Sequence, residues 1–360
     1  MFEAKTPYNA LPPLPPPKEK FHTPEIWKKT IEAHRELAEL KGMSPQLPNQ
    51  AILIQSIGLQ EARVSSEIEN IVTTNDELYR SYADRGMTSD PHTKEVLGYN
   101  EALWYGYRAI KEENRILNLT LFEELVQLMT QHSSGVRKLP GTVLKNPLEN
   151  KVVYTPPEGE SVIRDMMDHL SKFIYIEQDI DPLIILALLH YQFEAIHPFH
   201  DGNGRTGRIV NILYLVEKEL LNLPILYLSK YVIENKAAYY EGLRNVTQKG
   251  EWETWILFIL NAVQATAKLS REKIRMILNV RDRMAQQIQD ELPRIYSKDL
   301  VELLFEHPYC KIRFLEHLVH RQTASQYLQK LEKIGILRQV KRGREKYFVN
   351  DAFLEVLKNH

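Results

Sequence analysis

The sequence predicts a mainly α protein with two small β-hairpins. Three observations support this fold class. Apolar residues recur at helical spacing through most of the 360 residues. A stretch at residues 142–154 instead has two short β-prone segments around a polar, proline-containing turn. The pattern of residues 297–360 predicts short helices followed by a second hairpin, which is basic. The chain should therefore consist of a helical body, one central hairpin and a separate tail.

Composition excludes several classes of protein. The 46 Lys and Arg residues nearly balance the 47 Asp and Glu residues, for a net charge of −1, which argues against a broadly basic nucleic-acid binder. The apolar fraction of 43% is ample for a buried core. No apolar run reaches the length of about 18 residues that suggests a membrane span, and no signal peptide is evident. We expect a cytoplasmic protein without a membrane partner, and we expect its single cysteine, Cys310, to lie in the core.

The first elements follow from proline and capping residues. Residues 1–20 contain the run PPLPPP, an extended arm that either lies as a strap on the domain or serves as an SH3-type ligand. A first helix is predicted at residues 24–41, with Thr23 as its N-cap. A second should start near Gln50. The apolar side of the first helix is expected to contain Trp27, Ile31, Leu37 and Leu40.

The helical pattern continues along the chain. Residues 93–129 are predicted to be helical, and Thr120 with Glu123 resembles a capping box for a helix at residues 121–131. Helices then resume at residue 158 and extend to about residue 296.

The most informative stretch is residues 190–210, HYQFEAIHPFHDGNGRTGRIV. An apolar helix, residues 182–195, delivers His197 to its end, and a short loop then leads into a second helix that opens on Arg205. Gly202 and Gly204 flank Asn203 in that loop, so backbone N–H groups can approach a ligand closely. A glycine loop that enters a helix N-terminus is a natural anion site.

The side chains around this loop suit a polyphosphate. Arg205 and Arg208 lie three residues apart and share one helix face, where two guanidinium groups can hold phosphates. Asp201 could hold Mg²⁺, which binds one or two carboxylates together with phosphate oxygens. His197 is placed to take a proton from a hydroxyl. The residues therefore indicate phosphoryl or nucleotidyl transfer.

Two other interpretations of the same stretch were weighed. His190 and Glu194 lie four apart and are followed by His197, His200 and Asp201, a set that could belong to a metal hydrolase. His190 alone is more typical of a packed or capped residue. The glycines could also form a purely structural turn. Neither interpretation accounts for the paired arginines.

The run from His197 to Arg208 also matches, at every position, the signature H-x-F-x-[D/E]-G-N-G-R-x-x-R of the Fic (Fido) family, which it resembles closely. The resemblance implies a Fic-type helical bundle that transfers AMP from ATP to a Tyr, Ser or Thr hydroxyl of a target protein, with His197 as base and Asp201 on Mg²⁺. The residues that it assigns to ATP binding in this run are Gly202, Asn203, Gly204, Arg205, Thr206, Gly207 and Arg208.

A second motif lies upstream. Ser65 and Glu69 lie four apart and would share one helix face, with Asn70 beside them, and on composition alone they are most simply a solvated surface. The pattern Ser-x-x-x-Glu-Asn resembles the inhibitory helix of Fic enzymes. The resemblance implies that Glu69 pairs with Arg208 and thereby blocks the γ-phosphate, and that Glu69 could instead orient water to remove AMP.

Two further resemblances concern ligand contact. In Fic proteins a hairpin at this place, the flap, docks the target by strand addition; here it would use Thr142, Val143, Val153 and Tyr154. The alternative is a surface hairpin without a role. Fic relatives also place a tyrosine pair near adenine, which implies Tyr239 and Tyr240, although aromatics at this spacing more often form core.

The tail resembles a winged helix, with helices near residues 300–305, 312–318 and 323–334 and a basic hairpin around Arg342. Such a unit binds DNA through phosphates, or serves as a protein-binding or dimer module. We expect a proline-rich arm (1–20), an N-terminal helical segment with the inhibitory helix (21–116), a Fic core (117–265), a helical connector (266–296) and a winged-helix-like domain (297–360).

Several functions remain open at this stage. The Doc-type relative phosphorylates, but its loop carries a lysine where this chain has Gly204, which favours adenylylation; another relative transfers phosphocholine. A different class is a transcriptional regulator whose Fic core only senses a ligand for the winged helix. Self-modification and a homodimer that relieves inhibition are compatible with the sequence.

Overall fold

The computed structural model describes residues 2–43, 45, 50–84, 86–132, 135–145, 150–176, 179–342 and 345–358. The described residues are mainly helical, which confirms the predicted fold class. Their helices are α1 (Pro24–Met43), α2 (Ala51–Ile68), α3 (Asn75–Ala83), α4 (Pro91–Lys111), α5 (Leu119–Thr130), α6 (Glu160–Ile176), α7 (Pro182–Ile196), α8 (Asn203–Glu217), α9 (Leu228–Glu234), α10 (Lys236–Lys249), α11 (Trp252–Glu291), α12 (Lys298–Glu306), α13 (Arg321–Lys333) and α14 (Asp351–Lys358). The strands are β1 (Leu144–Lys145), β2 (Val152–Tyr154), β3 (Tyr309–Cys310), β4 (Arg338–Arg342) and β5 (Glu345–Val349).

Helices α7 and α8 form the centre of the body. Both are buried along nearly their whole length, because α7 is apolar on every face and α8 is apolar beyond its first two turns. Helices α4, α5, α6 and α11 pack around this pair, and α2 packs on α4 and α9. The loop that joins α7 to α8 is therefore held between two buried helices.

Helix α1 begins as predicted but buries a different face. Its buried residues are Ile26, Thr30, Ala33, Leu37, Leu40 and Met43. Trp27 and Ile31 are exposed, so the sequence-based expectation was wrong for these two. The reason is geometric: residues 26, 33, 37 and 40 follow the helical repeat that faces α11, and each of the two exposed side chains is one position off that repeat.

The region predicted as helix from residue 93 to 129 is two helices. It breaks at residues 112–118, and the capping-box prediction was wrong because Asn118 caps α5: its Oδ1 accepts from the Leu121 amide at 3.0 Å. Glu123 instead accepts from the Val136 amide at 3.2 Å. Helix α3 was not predicted.

The N-terminal arm is a strap on the domain surface. Thr155 donates to the Ala4 carbonyl at 2.7 Å, the Tyr8 amide donates to the Thr155 carbonyl at 3.1 Å, and Gln192 donates to the Pro12 carbonyl at 3.1 Å. These contacts tie the arm to the segment after β2 and to α7.

The central hairpin is shorter than predicted. Its pairs are Leu144 with Tyr154 and Lys145 with Val152, and Thr142 and Val143 lie before β1 rather than within it. The turn at residues 146–149 lies outside the described residues. None of the described helices is long and apolar enough to span a membrane.

The tail contains a three-stranded antiparallel sheet in the order β3–β5–β4. Strand β3 contacts α3, and α12 and α14 pack on α11 and α2. The helix predicted at residues 312–318 is only a short 3-10 turn, Ile312–Leu315, and β3 and α14 were missed. Cys310 is buried, as expected. The hairpin tip at residues 343–344 lies outside the described residues. Because α11 is one continuous helix, the expected boundary at 265/266 falls inside it, and the division into domains stays a prediction.

Candidate active site

His197 ends α7 in a left-handed conformation, with φ of 51°. Its amide still bonds to the Phe193 carbonyl at 3.0 Å, so the residue terminates the helix and turns the chain into the loop. Its Nδ1 is buried and has no hydrogen-bond partner among the described residues. The backbone of His197 is thus fixed at the end of α7, while its ring remains partly exposed.

Arg137 holds this turn from outside the motif. Its Nε donates to the His197 carbonyl at 2.8 Å, and its Nη2 donates to the Ile196 carbonyl at 3.2 Å and to the Pro157 carbonyl. Its own amide donates to the Pro198 carbonyl at 2.9 Å. One buried guanidinium therefore satisfies the last carbonyls of α7. The sequence gives no signal for this role, because Arg137 lies in an irregular segment.

Burial lowers the pKa of His197 to about 4, and the positive charge of Arg137 acts in the same direction. The imidazole is neutral at pH 7 and can accept a proton. One turn earlier, burial raises the pKa of Glu194 to about 7, with Arg208 opposing and Glu69 reinforcing the rise.

The loop after His197 is closed by Asn203. Its Oδ1 accepts from the Phe199 amide and its Nδ2 donates to the Phe199 carbonyl, both at 2.8 Å. The side chain of Asn203 is therefore engaged in shaping the loop, and the groups left for an anion are backbone amides at the start of α8. Gly202 has φ of 75°, and a Cβ there would lie 2.6 Å from Met129. Only glycine fits this position.

Gly204 and Gly207 allow carboxylates to approach α8. A Cβ on Gly204 would lie 2.5 Å from the Glu69 Oε1 and 2.9 Å from the Arg208 Nη1, and a Cβ on Gly207 would lie 2.8 Å from the Glu194 Oε1. Thr206, between them, is fully buried. The two glycines thus mark the side of α8 that faces the charged groups.

Arg205 is fully buried and contacts three carboxylates. Its Nε donates to the Glu69 Oε2 at 3.0 Å, its Nη1 donates to the Glu95 Oε2 at 2.7 Å, and its Nη2 lies 3.4 Å from the Asp201 Oδ2. Sequence reasoning missed Glu95, which lies on α4 in a stretch without a recognisable motif.

Arg208 is held by the upstream motif. Its Nε donates to the Ser65 Oγ at 2.7 Å, and its Nη2 donates to the Ser65 carbonyl at 2.9 Å and to the Glu69 Oε1 at 2.8 Å. Glu69 therefore bridges both arginines with its two oxygens. The sequence-based expectation named Arg208 alone, so the contact with Arg205 is an addition.

The position of Glu69 depends on α2, which contacts of its own hold in place. That helix ends at Ile68, whose carbonyl accepts from the Lys236 ammonium at 2.6 Å. Two turns earlier, the buried Glu61 accepts from the Ser229 amide at 2.9 Å and from the Tyr99 hydroxyl at 3.2 Å. Asn70 is exposed and left-handed, with φ of 65°, and turns the chain away.

Asp201 is the exposed carboxylate at the mouth of the site, with a side chain 73% exposed. Its Oδ1 accepts from the Gly202 amide at 2.7 Å. The described residues contain no group of three or more His, Cys, Asp or Glu side chains that could hold a metal ion by themselves. The donor set fits a Mg²⁺ ion that arrives with phosphate oxygens of its own.

The tyrosine pair divides into one packed and one accessible residue. Tyr239 is buried against Trp255 and Phe258, and its hydroxyl lies 2.9 Å from the His190 Nε2. Burial lowers the pKa of His190 to about 3, so this histidine is a packed neutral residue, as expected. Tyr240 is 49% exposed and stacks edge-on against Tyr239. Only Tyr240 presents a ring to a ligand.

The hairpin lies against the end of α7. The Tyr154 hydroxyl donates to the Ala195 carbonyl at 2.7 Å, two residues before His197. Val143, before β1, is exposed, whereas Val153 is half-buried. A segment that paired with this hairpin would lie close to the imidazole.

Three sequence families match the chain. The family described as "Fic/DOC family N-terminal" matches residues 27–108, "Fic/DOC family" matches residues 116–215, and "Protein adenylyltransferase SoFic-like, C-terminal domain" matches residues 280–353. The second match contains the loop, and the first contains Ser65, Glu69 and Glu95.

Similar proteins include a probable protein adenylyltransferase of Aquifex aeolicus, 26% identical over 53% of this chain and 57% of that protein. Protein adenylyltransferase Fic of Aedes aegypti is 24% identical over 60% of this chain and 40% of that protein. The matched regions thus span about half the length of these relatives. A solved Fic family protein of Desulfovibrio desulfuricans shares the fold, with a TM-score of 0.57, 17% identity, and coverage of 94% of this chain and 98% of that one.

Proposed function

We propose, from this chain's membership of the Fic/DOC family, that it is a protein adenylyltransferase. In this proposal it transfers AMP from ATP to a Tyr, Ser or Thr hydroxyl of a target protein. The observation that carries the proposal is the loop in which a neutral imidazole, the start of α8 and two buried arginines converge, with one carboxylate across both arginines.

The chemistry divides between His197 and the anion cradle. His197 takes the proton from the acceptor hydroxyl, whose oxygen attacks the α-phosphorus. The bond from that phosphorus to the bridging oxygen breaks, and pyrophosphate leaves. Arg205 and Arg208 hold the β- and γ-phosphates, while backbone amides at the start of α8 would stabilise the charge that develops, the Gly202 amide only after it releases the Asp201 carboxylate. Positioning and charge stabilisation account for most of the acceleration in such transfers.

Mg²⁺ would enter as part of the substrate complex. Asp201 is the residue that would hold it, through a carboxylate oxygen that reaches solvent. When bound, the ion would neutralise phosphate charge.

Glu69 makes this enzyme self-inhibited. Its carboxylate occupies the guanidinium edges that the triphosphate needs, and one edge cannot bond a carboxylate and a phosphate at once. Activity therefore requires that Glu69 leave the two arginines. A further role for Glu69 is to orient water for removal of AMP; failure of the purified protein to release AMP from a modified target with either Mg²⁺ or Mn²⁺ would exclude it.

Incubation of the Glu69→Gly variant with α-labelled ATP in a cell lysate tests the proposal. We expect labelled protein bands that disappear when His197→Ala is added to the variant. Mass spectrometry of the product should show added AMP. An added phosphate would instead identify Doc-type chemistry, which Gly204 disfavours, and added phosphocholine would identify the third transfer.

The partner is a protein with a hydroxyl on a segment that pairs with the hairpin, where Thr142, Val143, Val153 and Tyr154 are the candidate docking residues. Self-modification is expected to appear as a labelled band at the enzyme's own mass. A homodimer that relieves inhibition would appear as concentration-dependent specific activity.

The alternative, a ligand-sensing DNA-binding regulator, finds less support. Basic residues of the tail hairpin face carboxylates of the chain itself: Arg338 pairs with Asp351 at 2.6 Å and Arg342 with Asp76 at 3.3 Å. A gel shift on genomic fragments, with and without ATP, discriminates the two functions.

A further inference from the structure

A cavity of about 140 Å³ lies between α3 and the tail hairpin, away from the loop of His197. Three arginines line it: Arg80 from α3, and Arg338 and Arg342 from β4. The other lining residues are two tyrosines, a valine and the carboxylate of Asp76. Nothing in the proposed transfer reaction uses this cluster.

Arg80 is the least satisfied of the three arginines. Its Nη2 pairs with Glu77, while its Nη1 is buried and has no hydrogen-bond partner among the described residues. A buried guanidinium donor without an acceptor is uncommon, because the lost hydration is not replaced. The position of Arg80 on the cavity wall indicates that the missing acceptor occupies the cavity.

Both arginines of β4 have N–H groups that their carboxylate partners do not use. Arg338 donates from its Nε and Nη2 to Asp351, at 2.6 and 2.7 Å, and its Nη1 takes part in neither bond. Arg342 uses its Nη2 on Asp76 at 3.3 Å, and its side chain reaches solvent. The cavity is therefore accessible from outside on the β4 side.

Asp76 is the one carboxylate on the wall, and it would oppose an anion. It already accepts from the Tyr309 hydroxyl and from Arg342, which disperse its charge. The carboxylates that pair with Arg80 and Arg338 approach from outside the lining. Each of the three arginines thus already pairs with one carboxylate, and what the cavity offers an anion is the remaining N–H groups, above all the buried Arg80 Nη1.

We propose that this cavity binds a small phosphate-class dianion, either inorganic phosphate or the terminal phosphate of a monoester. A cavity of about 140 Å³ has room for a tetrahedral dianion. A planar guanidinium fork matches phosphate oxygens in geometry as well as charge. The bound anion would bridge α3 and β4, so it would also join the N-terminal helices to the tail.

Calorimetric titration of the full chain with inorganic phosphate tests the site. We expect saturable binding of one phosphate per chain at the cavity. Arg80→Gln should weaken it by roughly 10-fold or more, because a charge-assisted bond is lost. Val340→Phe should also abolish it by filling the cavity while leaving all three arginines. Arg321→Gln, an exposed arginine on α13 of the same tail, is the matched control and should bind as the unchanged protein does.

Several results would overturn the assignment. One is the absence of saturable binding in the unchanged protein. Another is binding of phosphate by Arg80→Gln and Val340→Phe that is as tight as in the unchanged protein. Loss of the same heat in Arg205→Gln would place the phosphate on the active-site arginines instead. Competition by phosphoserine would identify the monoester form, whereas competition by duplex DNA would assign the arginines to nucleic acid. The readout is binding alone, so it is independent of adenylyl transfer.

Discussion

The substitution Glu69→Gly should raise labelling of target protein by about two orders of magnitude. In the structure the Glu69 carboxylate bonds to the Arg205 Nε at 3.0 Å and to the Arg208 Nη2 at 2.8 Å. A hydrogen bond to a charged group contributes about 1.5–3 kcal/mol. The Glu69 side chain is 26% exposed and regains hydration when it leaves, so we take about 3 kcal/mol for both bonds together.

That free energy sets the fraction of molecules able to receive the triphosphate. At about 1.4 kcal/mol per factor of ten, roughly 1% of the unchanged protein has both arginines free. Removal of the carboxylate makes that fraction close to one, so kcat/KM for ATP should rise about 100-fold. The arginines stay in place, because Arg205 keeps Glu95 and Arg208 keeps Ser65.

The assay is incorporation of α-labelled ATP into lysate proteins over time, at ATP concentrations below KM. Glu67→Gly is the matched control: Glu67 lies in the same last turn of α2 but pairs only with Arg63, at 3.1 Å on the surface. It should leave labelling unchanged. Equal rates for Glu69→Gly and the unchanged protein, with both folded, would refute self-inhibition by this carboxylate.

Three further outcomes are expected. In the Glu69→Gly variant, kcat/KM should stay level from pH 7 down to about pH 5 and fall at lower pH, because the pKa of His197 is lowered to about 4. A fall centred near pH 6.5 would show that the pKa of this imidazole is not lowered. Arg137→Gln should lower kcat at least tenfold and lower the free energy of unfolding by about 1–3 kcal/mol, because carbonyls at the end of α7 lose their donor. If activity were retained while Tm fell, the role of Arg137 would be structural only. The neutral, buried His190 should lower the free energy of unfolding by about 1.4 kcal/mol per pH unit as pH drops from about 6.5 to 4, because the unfolded chain takes up a proton that this ring refuses. Glu194, whose pKa is raised to about 7, acts in the opposite direction, so the test compares two slopes. Chemical denaturation at a series of pH values should show a weaker loss of stability in His190→Phe than in the unchanged protein.

The sequence was sufficient where function depends on neighbours in the chain. His197, Gly202, Arg205 and Arg208 lie within twelve residues of one another, so their spacing alone places them at one helix mouth. It was insufficient where a partner comes from a distant element. Glu95 reaches Arg205 from α4, and nothing in the local pattern of α4 distinguishes that glutamate from a solvated one.

Capping and strand boundaries failed for a related reason. The Thr120 and Glu123 pair satisfies a local rule, yet the chain uses Asn118, because starting α5 two residues earlier leaves Glu123 free to accept from Val136. The docking residue Val143 lies beside a strand rather than in one, since the hairpin pairs only from Leu144 onward.

Ser65 bonds to Arg208 through both its hydroxyl and its carbonyl, and this limits how the proposed adenylyltransferase could be activated. If α2 moved away as a whole, Arg208 would lose the bonds to Ser65 that orient it as well as the bond to Glu69 that blocks it. The phosphate would then meet an arginine side chain that nothing orients. A rotation of the Glu69 side chain alone unblocks the arginine and leaves it aimed. Activating signals should therefore act on the Glu69 side chain alone, at the end of a helix that stays in place. A partner that binds this carboxylate away from the arginines would be sufficient.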